Sequence, residues 1–439
     1  MKREKCDVAI IGAGFGGLTA AGLLSKAGYN VIVAEKLPFL GGRCSTVEYK
    51  GYKFSTGAVW VMEGVIKDIW EEAGAPWELR CPEHQNYYRV HGKDYEMPEK
   101  GGLRTMVEYA ARSDREVDDV MNAFRRAMAW QDPTPAITFS QWLSQYTTNP
   151  AIHGIFQSMV TMSIGIKIDE MPAQEYFDFL RAIGWLKRYG YAPEGLIRLM
   201  ESLAKTIEKH GSKVLTRCKA QRILVKDRAA KGIIVERGDQ TIQIDAKAVI
   251  SNAGPRATMA LAGKEHFDLS HVVQTDSFSR SGPQISILIA SDRPLFPYEG
   301  NLFFTEARRL FCFTPVGYVC PEMAPKGKYL LDAGGFFTSS LPPYDLKKEI
   351  ELTLLDIQEQ LPGFDKYGHL VHVGCYHGDW PLSRSWAGYN LPSKTSVENL
   401  YDAGDGAKPA GCWGTYGAGW SAKRVVADIK KRLKPGEGS

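Results

Sequence analysis

The chain reads DVAIIGAGFGGL at residues 7–18, and this stretch decides the fold. An apolar strand runs into a glycine turn, and the turn runs into a helical pattern that extends to Ala27. Gly12 allows the tight turn, Gly14 lets the backbone approach a pyrophosphate, and Gly17 lets the helix pack closely on the strand. The stretch therefore predicts a dinucleotide-binding unit whose phosphates face the positive N-terminus of the helix.

A second apolar strand, at residues 31–33, leads to the acid Glu35. A carboxylate at this position binds ribose hydroxyls and disfavours the 2′-phosphate of NADP. Glycines also occur in ordinary crossover turns, but here strand, turn, helix, second strand and acid follow in the expected order. The expected contacts of the dinucleotide are Gly12, Ala13, Gly14, Phe15, Gly16, Gly17, Glu35 and Lys36.

The next segment reads LGGRCST at residues 40–46 and GYKFSTG at residues 51–57. It resembles the GGR extension of the flavoenzyme superfamily that includes amine oxidases and phytoene desaturases. The resemblance implies that the dinucleotide is FAD and that Gly42 and Arg43 lie along its pyrophosphate and ribityl chain. A planar guanidinium suits that anion because it can bind two oxygens at once.

A second flavin motif lies near the C-terminus, where residues 400–419 read LYDAGDGAKPAGCWGTYGAG. This stretch resembles the closing flavin motif of the same superfamily. The resemblance implies that Gly404 and Asp405 contact the ribityl and pyrophosphate groups. It also implies that the last helix begins beside the flavin pyrimidine ring, at Tyr416, Gly417 and Ala418. Two motifs at opposite ends of the chain thus fit one cofactor.

The middle of the chain resembles the phytoene-desaturase branch at YAPEGL (191–196) and SNAGP (251–255). Between them, the resemblance implies that the backbone of Ala220 contacts the adenine. After the GGR segment, however, the superfamily commonly shows FDxGP, and this chain lacks both the acid and the proline. The resemblance is therefore specific for the flavin half of the chain and loose for the substrate half.

We expect an α/β fold, α+β overall, with a Rossmann-like FAD-binding domain and a discontinuous substrate domain of mixed helices and β-sheet. The FAD-binding domain is predicted to comprise residues 1–70, 190–275 and 395–439. The substrate domain is predicted to comprise residues 71–189, which are mainly helical, and 276–394, which are mainly strands. The helices expected there span residues 116–130, 139–146, 173–188 and 345–360, and the strands span residues 285–289, 302–304, 310–313 and 329–331.

Composition excludes several other classes of protein. The formal net charge of +4 is too small to indicate nucleic-acid binding. The eight cysteines form no CxxC pair and show no metal-ligand spacing, so we expect free thiols, a reducing compartment and no metal. No uninterrupted apolar run is long enough to span a bilayer. We therefore expect a cytoplasmic protein and leave open a peripheral contact with membranes.

Aromatic residues near the two flavin motifs are the candidates for the walls of a substrate pocket, namely Trp60, Trp413 and Tyr416. The helical insertion is also rich in large apolar residues, which are either core or the lining of an apolar channel: Phe156, Met159, Met162, Tyr176, Phe177, Phe179, Leu180 and Trp185. Polar candidates are fewer. A structural network is the favoured interpretation of His377, Asp379 and Arg384, and we assign no catalytic base.

These patterns predict an FAD-dependent oxidoreductase that resembles phytoene desaturases, with non-covalent FAD. It would transfer hydride between an apolar unsaturated substrate and flavin N5. One alternative is a flavin amine oxidase that produces an imine and hydrogen peroxide. A second is a non-catalytic binding protein of the same fold, as in the prenyl-GTPase escort proteins. The direction of the reaction and the electron acceptor (oxygen, a quinone or another small molecule) stay open.

Overall fold

A computed structural model describes residues 2–129, 137–183 and 188–436. The strands are β1 (Lys2–Ile11), β2 (Val31–Ala34), β3 (Thr46–Tyr49), β4 (Tyr52–Ser55), β5 (Val61–Met62), β6 (Asn86–Val90), β7 (Lys93–Glu96), β8 (Tyr189–Gly190), β9 (Lys213–Leu215), β10 (Cys218–Lys226), β11 (Ala229–Arg237), β12 (Gln240–Ser251), β13 (Gln284–Ser291), β14 (Asn301–Phe304), β15 (Leu310–Thr314), β16 (Tyr329–Gly335), β17 (Gly368–Tyr376) and β18 (Leu400–Asp402). The helices are α1 (Phe15–Lys26), α2 (Val65–Ala73), α3 (Gly102–Ala110), α4 (Asp114–Ala129), α5 (Phe139–Leu143), α6 (Pro150–Ile164), α7 (Ala173–Ile183), α8 (Ile197–Lys209), α9 (Pro255–Ala262), α10 (Leu269–Phe278), α11 (Val316–Val319), α12 (Leu346–Gln360), α13 (Phe364–Tyr367) and α14 (Gly414–Arg432).

The first large sheet has the strand order β10-β11-β12-β1-β2-β9, and β18 pairs with the end of β12. The strands from β12 to β9 and the pair β12–β18 are parallel, whereas β10 and β11 are antiparallel additions. From Cys6 to Ile11, every residue of β1 is buried, as expected for a parallel strand that is covered on both faces. The carboxyl ends of β1, β2 and β12 therefore meet at one edge of this sheet.

Each face of that sheet has its own apolar core. Val8 and Ile10 face a cluster built from α1, α2, α8 and α14. Ala9 and Ile11 face a second cluster that includes residues of β10, β11 and α9. This alternation follows from the two-residue period of a strand, and it fixes the helix pair α1 and α14 beside the glycine turn.

The second large sheet has the order β17-β13-β16-β15-β14-β6-β7. It is antiparallel except for the pair β14–β6. One face packs on α12, and helices α3 to α7 form a separate core with residues of β6, β14 and β15. Its strands come from residues 86–96 and 284–376, which precede and follow strands β9 to β12 of the first sheet in the chain. The domain boundaries themselves stay a prediction.

The α/β, Rossmann-like fold class is confirmed, and the differences from the predicted elements are local. The last helix begins at Gly414, so Tyr416, Gly417 and Ala418 lie within it rather than at its start, and its glycines allow close packing. A Cβ on Gly419 would lie 3.1 Å from the side chains of Ile66 and Ile69 in α2. The helix predicted over residues 139–146 ends at Leu143. The predicted helices 116–130 and 173–188 correspond to α4 and α7, and their ends at residues 130 and 184–187, which include Trp185, lie outside the described residues.

Candidate functional site

A cavity of about 610 Å³ lies beside the glycine turn and reaches strands β13, β15 and β16 of the second sheet. The predicted cofactor contacts that line it are Gly12, Gly14, Phe15, Gly16, Glu35, Lys36, Gly42, Arg43, Ala220, Asp405 and Ala418. The predicted pocket residues Trp60 and Trp413 also line it. The other predicted contacts are not among the described residues that form the cavity wall: Ala13, Gly17, Gly404, Tyr416 and Gly417. The fold thus brings most of both sequence motifs to one cavity.

The glycine turn between β1 and α1 has no room for side chains. Gly12 has a φ of +94°, and its N–H donates to the Ala34 carbonyl at 2.8 Å. A Cβ on Gly17 would lie 2.0 Å from the Gly12 carbonyl oxygen, and one on Gly14 would lie 2.4 Å from Asn252 Oδ1. No side chain caps α1, and its first turn contains no acid. Its N-terminal N–H groups and dipole therefore suit an anion in the cavity.

Asn252 joins the two motifs, and we assigned it no role from the sequence. Its Nδ2 donates to the Ala403 carbonyl at 2.6 Å, and its backbone N–H donates to Ile11 at 2.7 Å. Cβ atoms built on Gly16 and Gly404 would lie 2.9 Å and 2.5 Å from its Nδ2. The signal in the sequence was a polar residue directly after a buried parallel strand, where ligands bind in such sheets.

Glu35 directly follows β2, and its side chain is buried, with 5% of its surface exposed. Its Oε2 accepts the N–H of Ala13 at 2.7 Å, and its Oε1 accepts the N–H of Leu37 at 2.8 Å. These bonds fix the carboxylate in the cavity wall. The next residue, Lys36, also lines the cavity. Ala220, on β10, lines the same cavity. The arrangement suits a ribose, whose hydroxyls donate to carboxylates.

Arg43 and Asp405 form a two-point ion pair. Arg43 Nη1 donates to Asp405 Oδ2 at 3.0 Å, and Nη2 donates to Oδ1 at 2.5 Å. Arg43 Nη1 also donates to the Leu382 carbonyl at 2.7 Å. Burial alone would raise the pKa of Asp405, but the Arg43 guanidinium outweighs it and the pKa falls to about 2. Asp405 is therefore ionised and neutralised by its partner.

Arg384 adds a second guanidinium beside that pair. Its backbone N–H donates to Asp405 Oδ2 at 2.9 Å, and the residue lines the cavity. Within the described parts of the chain, its guanidinium has no hydrogen-bond acceptor. Burial and the nearby Arg43 lower its pKa to about 10, so it stays charged at neutral pH. The two guanidiniums thus lie side by side at the cavity wall, and guanidiniums suit a pyrophosphate.

Of the three residues expected to form a structural network, Asp379 and Arg384 lie in one cavity wall and interact electrostatically, whereas His377 lies apart from them. No hydrogen bond between these three described side chains is present. Instead, the His377 ring packs 5.7 Å from the ring of Tyr344, whereas Asp379 is exposed and lines the cavity with Arg384. Asp379 and Arg384 thus share the cavity wall, and His377 lies outside it.

The remaining wall is largely apolar and aromatic. It includes Trp60, Met162, Ile164, Phe311 and Trp413. The Trp60 ring packs 5.1 Å from Tyr189, and the Trp413 ring packs 4.4 Å from Phe179. Tyr416 instead donates its hydroxyl to the Ala182 carbonyl at 2.8 Å.

Most of the apolar residues of the helical insertion form core rather than cavity wall. Phe156, Tyr176, Phe177, Phe179 and Leu180 are buried together in one cluster. Met159 packs on the edge of that cluster, and Met162 both packs on it and lines the cavity. The channel interpretation therefore applies to Met162 rather than to the whole set.

Three comparisons with known proteins agree with this site. The family described as flavin containing amine oxidoreductase matches residues 15–429. The chain belongs to this family of FAD-dependent oxidoreductases. Its groups fit FAD, because an uncapped helix start, a fixed carboxylate and two guanidiniums surround one cavity.

Relatives share this family over different lengths. An uncharacterized protein of Methanocaldococcus jannaschii is 25% identical over 429 residues, which is 95% of this chain and 98% of the relative. All-trans-retinol 13,14-reductase of Macaca fascicularis is 28% identical over 57% of this chain and 48% of its own length. Phytoene desaturase of Neurospora crassa is 25% identical over 56% of this chain and 47% of its own length. The chain thus spans about half of the length of the two named enzymes.

Solved structures show the same fold. An oxidoreductase from Methanosarcina mazei has a TM-score of 0.85 and 26% identity, covering 96% of this chain and all of that one. Putrescine oxidase bound to putrescine has a TM-score of 0.73 and 17% identity, covering 98% and 100% of the two chains. The second likeness concerns the fold alone.

No described helix is long and apolar enough to cross a membrane. No group of three or more histidine, cysteine or acidic side chains in the described ranges is placed to hold a metal ion. All eight cysteines are free, and most are buried.

Proposed function

We propose that this protein transfers hydride between FAD and a carbon–carbon bond of an apolar unsaturated substrate. The observation that carries the proposal is a single cavity of about 610 Å³ that joins the FAD-fitting groups to an apolar wall. Trp60, Met162, Phe311 and Trp413 in that wall suit a hydrocarbon chain, because burying apolar surface favours binding.

Bound FAD would supply the hydride acceptor, at N5 of its ring. The chain's own residues would bind and orient it. Arg43 and Arg384 would balance the pyrophosphate charge, Glu35 would accept from ribose hydroxyls, and the start of α1 would donate to the phosphates. The apolar wall would hold the substrate in line and exclude water, which is the main contribution of the protein to hydride transfer.

We propose that FAD is bound without a covalent link. Cys44 and Cys312 line the cavity, but burial raises the pKa of each thiol to about 12. Burial also raises the pKa of Cys412, in the C-terminal motif, to about 11. Such thiols stay protonated at neutral pH and are poor nucleophiles, which supports non-covalent binding.

Two relatives carry names that denote redox reactions of retinol and phytoene, and both are unsaturated apolar molecules. These names support the proposed substrate class, although the similarity to the two relatives covers only 57% and 56% of this chain. Reoxidation of FAD needs an electron acceptor, and we propose a small molecule such as oxygen or a quinone. The purified protein can be tested for reoxidation by each.

The first experiment is a visible spectrum of the purified protein before and after denaturation. A flavin band that passes into the soluble fraction supports non-covalent FAD. Anaerobic bleaching of that band by phytoene in detergent micelles would support oxidation of a CH–CH bond, and reoxidation of photoreduced protein by all-trans-retinol would support saturation. Absence of flavin, even after incubation with FAD, would instead favour a non-catalytic binding protein.

A second candidate is oxidation of an amine, which is favoured by one observation. Three tryptophans line the cavity together, namely Trp60, Trp380 and Trp413. However, of Trp413 and Tyr416, both of which were expected in the pocket wall, only Trp413 is among the described residues that line it. Putrescine, tested in the same anaerobic bleaching assay with hydrogen peroxide as product, separates this candidate from the first.

A further inference from the structure

A small polar surface interrupts the apolar wall of the cavity on the second sheet. Along β13, Ile285, Ile287 and Ile289 belong to the core beneath α12. Ser286 lies on the opposite face by the two-residue period and lines the cavity. Asp332 of β16 lines the cavity next to it.

Asp332 is a buried carboxyl with one hydrogen bond. Only 5% of its surface is exposed, and Ser286 Oγ donates to its Oδ1 at 2.8 Å. No described residue donates a hydrogen bond to its Oδ2, and no described arginine, lysine or histidine forms an ion pair with it. A carboxyl in this position has a free oxygen for a ligand in the cavity.

The surroundings of Asp332 hold its proton more tightly than water does. Burial raises its pKa to about 6, although the bond from Ser286 acts in the opposite direction. Its titratable neighbours are Cys312 from β15 and Tyr376 from β17, and His372 of β17 pairs with Leu288, the residue that also pairs with Asp332. Burial raises the pKa of Cys312 and Tyr376 and lowers that of His372, so all three are neutral near pH 7.

A buried carboxyl of this kind lowers the stability of the fold. An ionised group without a cation in an apolar wall is destabilising, and an apolar side chain would pack there more favourably. Groups with such perturbed protonation in a cavity are candidates for proton transfer, because a pKa near the working pH lets one group both give and take a proton.

We propose that Asp332 exchanges the proton that accompanies hydride transfer, and that Ser286 positions it. This inference rests on the proposed function and adds to it the acid–base residue of the same site. Asp332 is a catalytic residue in this proposal, since it meets the reacting carbon. Ser286 acts through Asp332 and is a positioning residue.

The proposed step balances in atoms and electrons. In the oxidising direction, one carbon of a CH–CH pair loses hydride to oxidised FAD, and its neighbour loses a proton to ionised Asp332. The electron pair of the first C–H bond leaves with the hydride, and the pair of the second becomes the new π bond. The products are an alkene, two-electron-reduced flavin and neutral Asp332. Saturation of an alkene is the same step in reverse.

The test compares Asp332→Asn with the matched control Asp402→Asn in full-length protein loaded with FAD. Asp402 is also buried and accepts from a single hydroxyl, that of Thr258, and burial raises its pKa to about 7. It does not line the cavity, as far as the described residues show. Both variants keep the shape of the side chain, so flavin content should stay the same.

Anaerobic stopped-flow bleaching by phytoene, or reoxidation of photoreduced protein by all-trans-retinol, gives the rate. We expect Asp332→Asn to lower it by about 10²-fold or more and to remove its pH dependence near pH 6. The Asp402→Asn rate should match the wild type. Equal rates and pH profiles in all three proteins would overturn the inference but leave the proposed function intact. A wild-type flavin that responds to neither probe would overturn both.

Infrared titration of the protein without substrate gives a readout that is independent of activity. We expect a carbonyl band of protonated Asp332 that disappears near pH 6 and is absent in Asp332→Asn. In Ser286→Ala the midpoint should rise, because the ionised form loses a donor, and Ser286→Thr should restore it. A band that titrates near the usual aspartate value, or a midpoint unchanged by Ser286→Ala, would overturn the assigned roles.

Discussion

Arg43 and Asp405 are 362 residues apart in the chain, yet they form a two-point ion pair with distances of 3.0 and 2.5 Å. Arg43 belongs to the N-terminal motif and Asp405 to the C-terminal one. Their pairing leaves the Asp405 carboxylate neutralised at the cavity wall, and Arg384 adds a second guanidinium beside it. The pair is therefore both a link between distant segments and a condition for accepting a pyrophosphate there.

Arg43→Met should destabilise the protein by about 3–5 kcal/mol, because it removes the two-point hydrogen bond and the larger counter-charge from the buried Asp405 carboxylate. Urea unfolding of the protein without added FAD measures this. The control is Arg104→Met, which breaks exposed ion pairs with Glu108 and Asp118 and should change the stability far less. Similar losses in both variants would contradict a structural role for the Arg43 pair.

Acid should lower the free energy of unfolding, because it protonates Asp405 and so breaks the ion pair with Arg43. The pKa of Asp405 is lowered to about 2 in the folded state, below the ordinary value of 3.8. Its contribution to stability is therefore complete above about pH 4 and lost as the pH falls through about 2. In Asp405→Asn, the fall in unfolding free energy over this range should be smaller than in the wild type. Identical acid profiles in the two proteins would show that Asp405 titrates normally.

Gly14→Val should abolish FAD binding, because a Cβ there would lie 2.4 Å from Asn252 Oδ1 and would block the approach of the pyrophosphate to the backbone. Flavin content of the purified protein, before and after incubation with FAD, measures the effect. Gly22→Ala in the following helix α1 is the control, since the nearest atom to its Cβ would be the flexible end of Leu203, with Ala73 Cβ at 3.4 Å. That variant should retain flavin. Normal flavin content in Gly14→Val would overturn the assignment of the turn.

Local patterns in the sequence predicted the parts of the site that depend on neighbouring residues. The strand, turn and helix at residues 7–18 and the acid at Glu35 follow from residue order alone, and the structure has these elements. Asn252 and Arg384 could not be assigned, because their partners lie in other segments and depend on strand pairing. Asp332 likewise has no local signal: its bond to Ser286 exists only because β13 pairs with β16 in one register.

Asn252→Asp should weaken FAD binding without unfolding the protein. An ionised aspartate cannot donate to the Ala403 carbonyl, which Asn252 Nδ2 does at 2.6 Å, and it adds a negative charge beside the predicted pyrophosphate site. Titration of the apoprotein with FAD, followed by flavin fluorescence, should show a higher Kd than the wild type. The difference should shrink at low pH, where the aspartate is protonated. An unchanged Kd at neutral pH would place Asn252 outside the FAD site.

Asp332→Asn should stabilise the protein at neutral pH while it impairs the reaction. The folded-state pKa of Asp332 is raised to about 6 from 3.8, so ionisation favours the unfolded chain, and the wild-type penalty grows between these two values. The gain in Tm from Asp332→Asn should thus be near zero at about pH 4 and largest above about pH 6, as measured by circular dichroism at both. Ser286→Ala serves as the comparison, because it removes the bond to the ionised carboxylate and should lower Tm at neutral pH. A Tm gain of the same size at both pH values would show that the effect comes from packing rather than from the charge of Asp332.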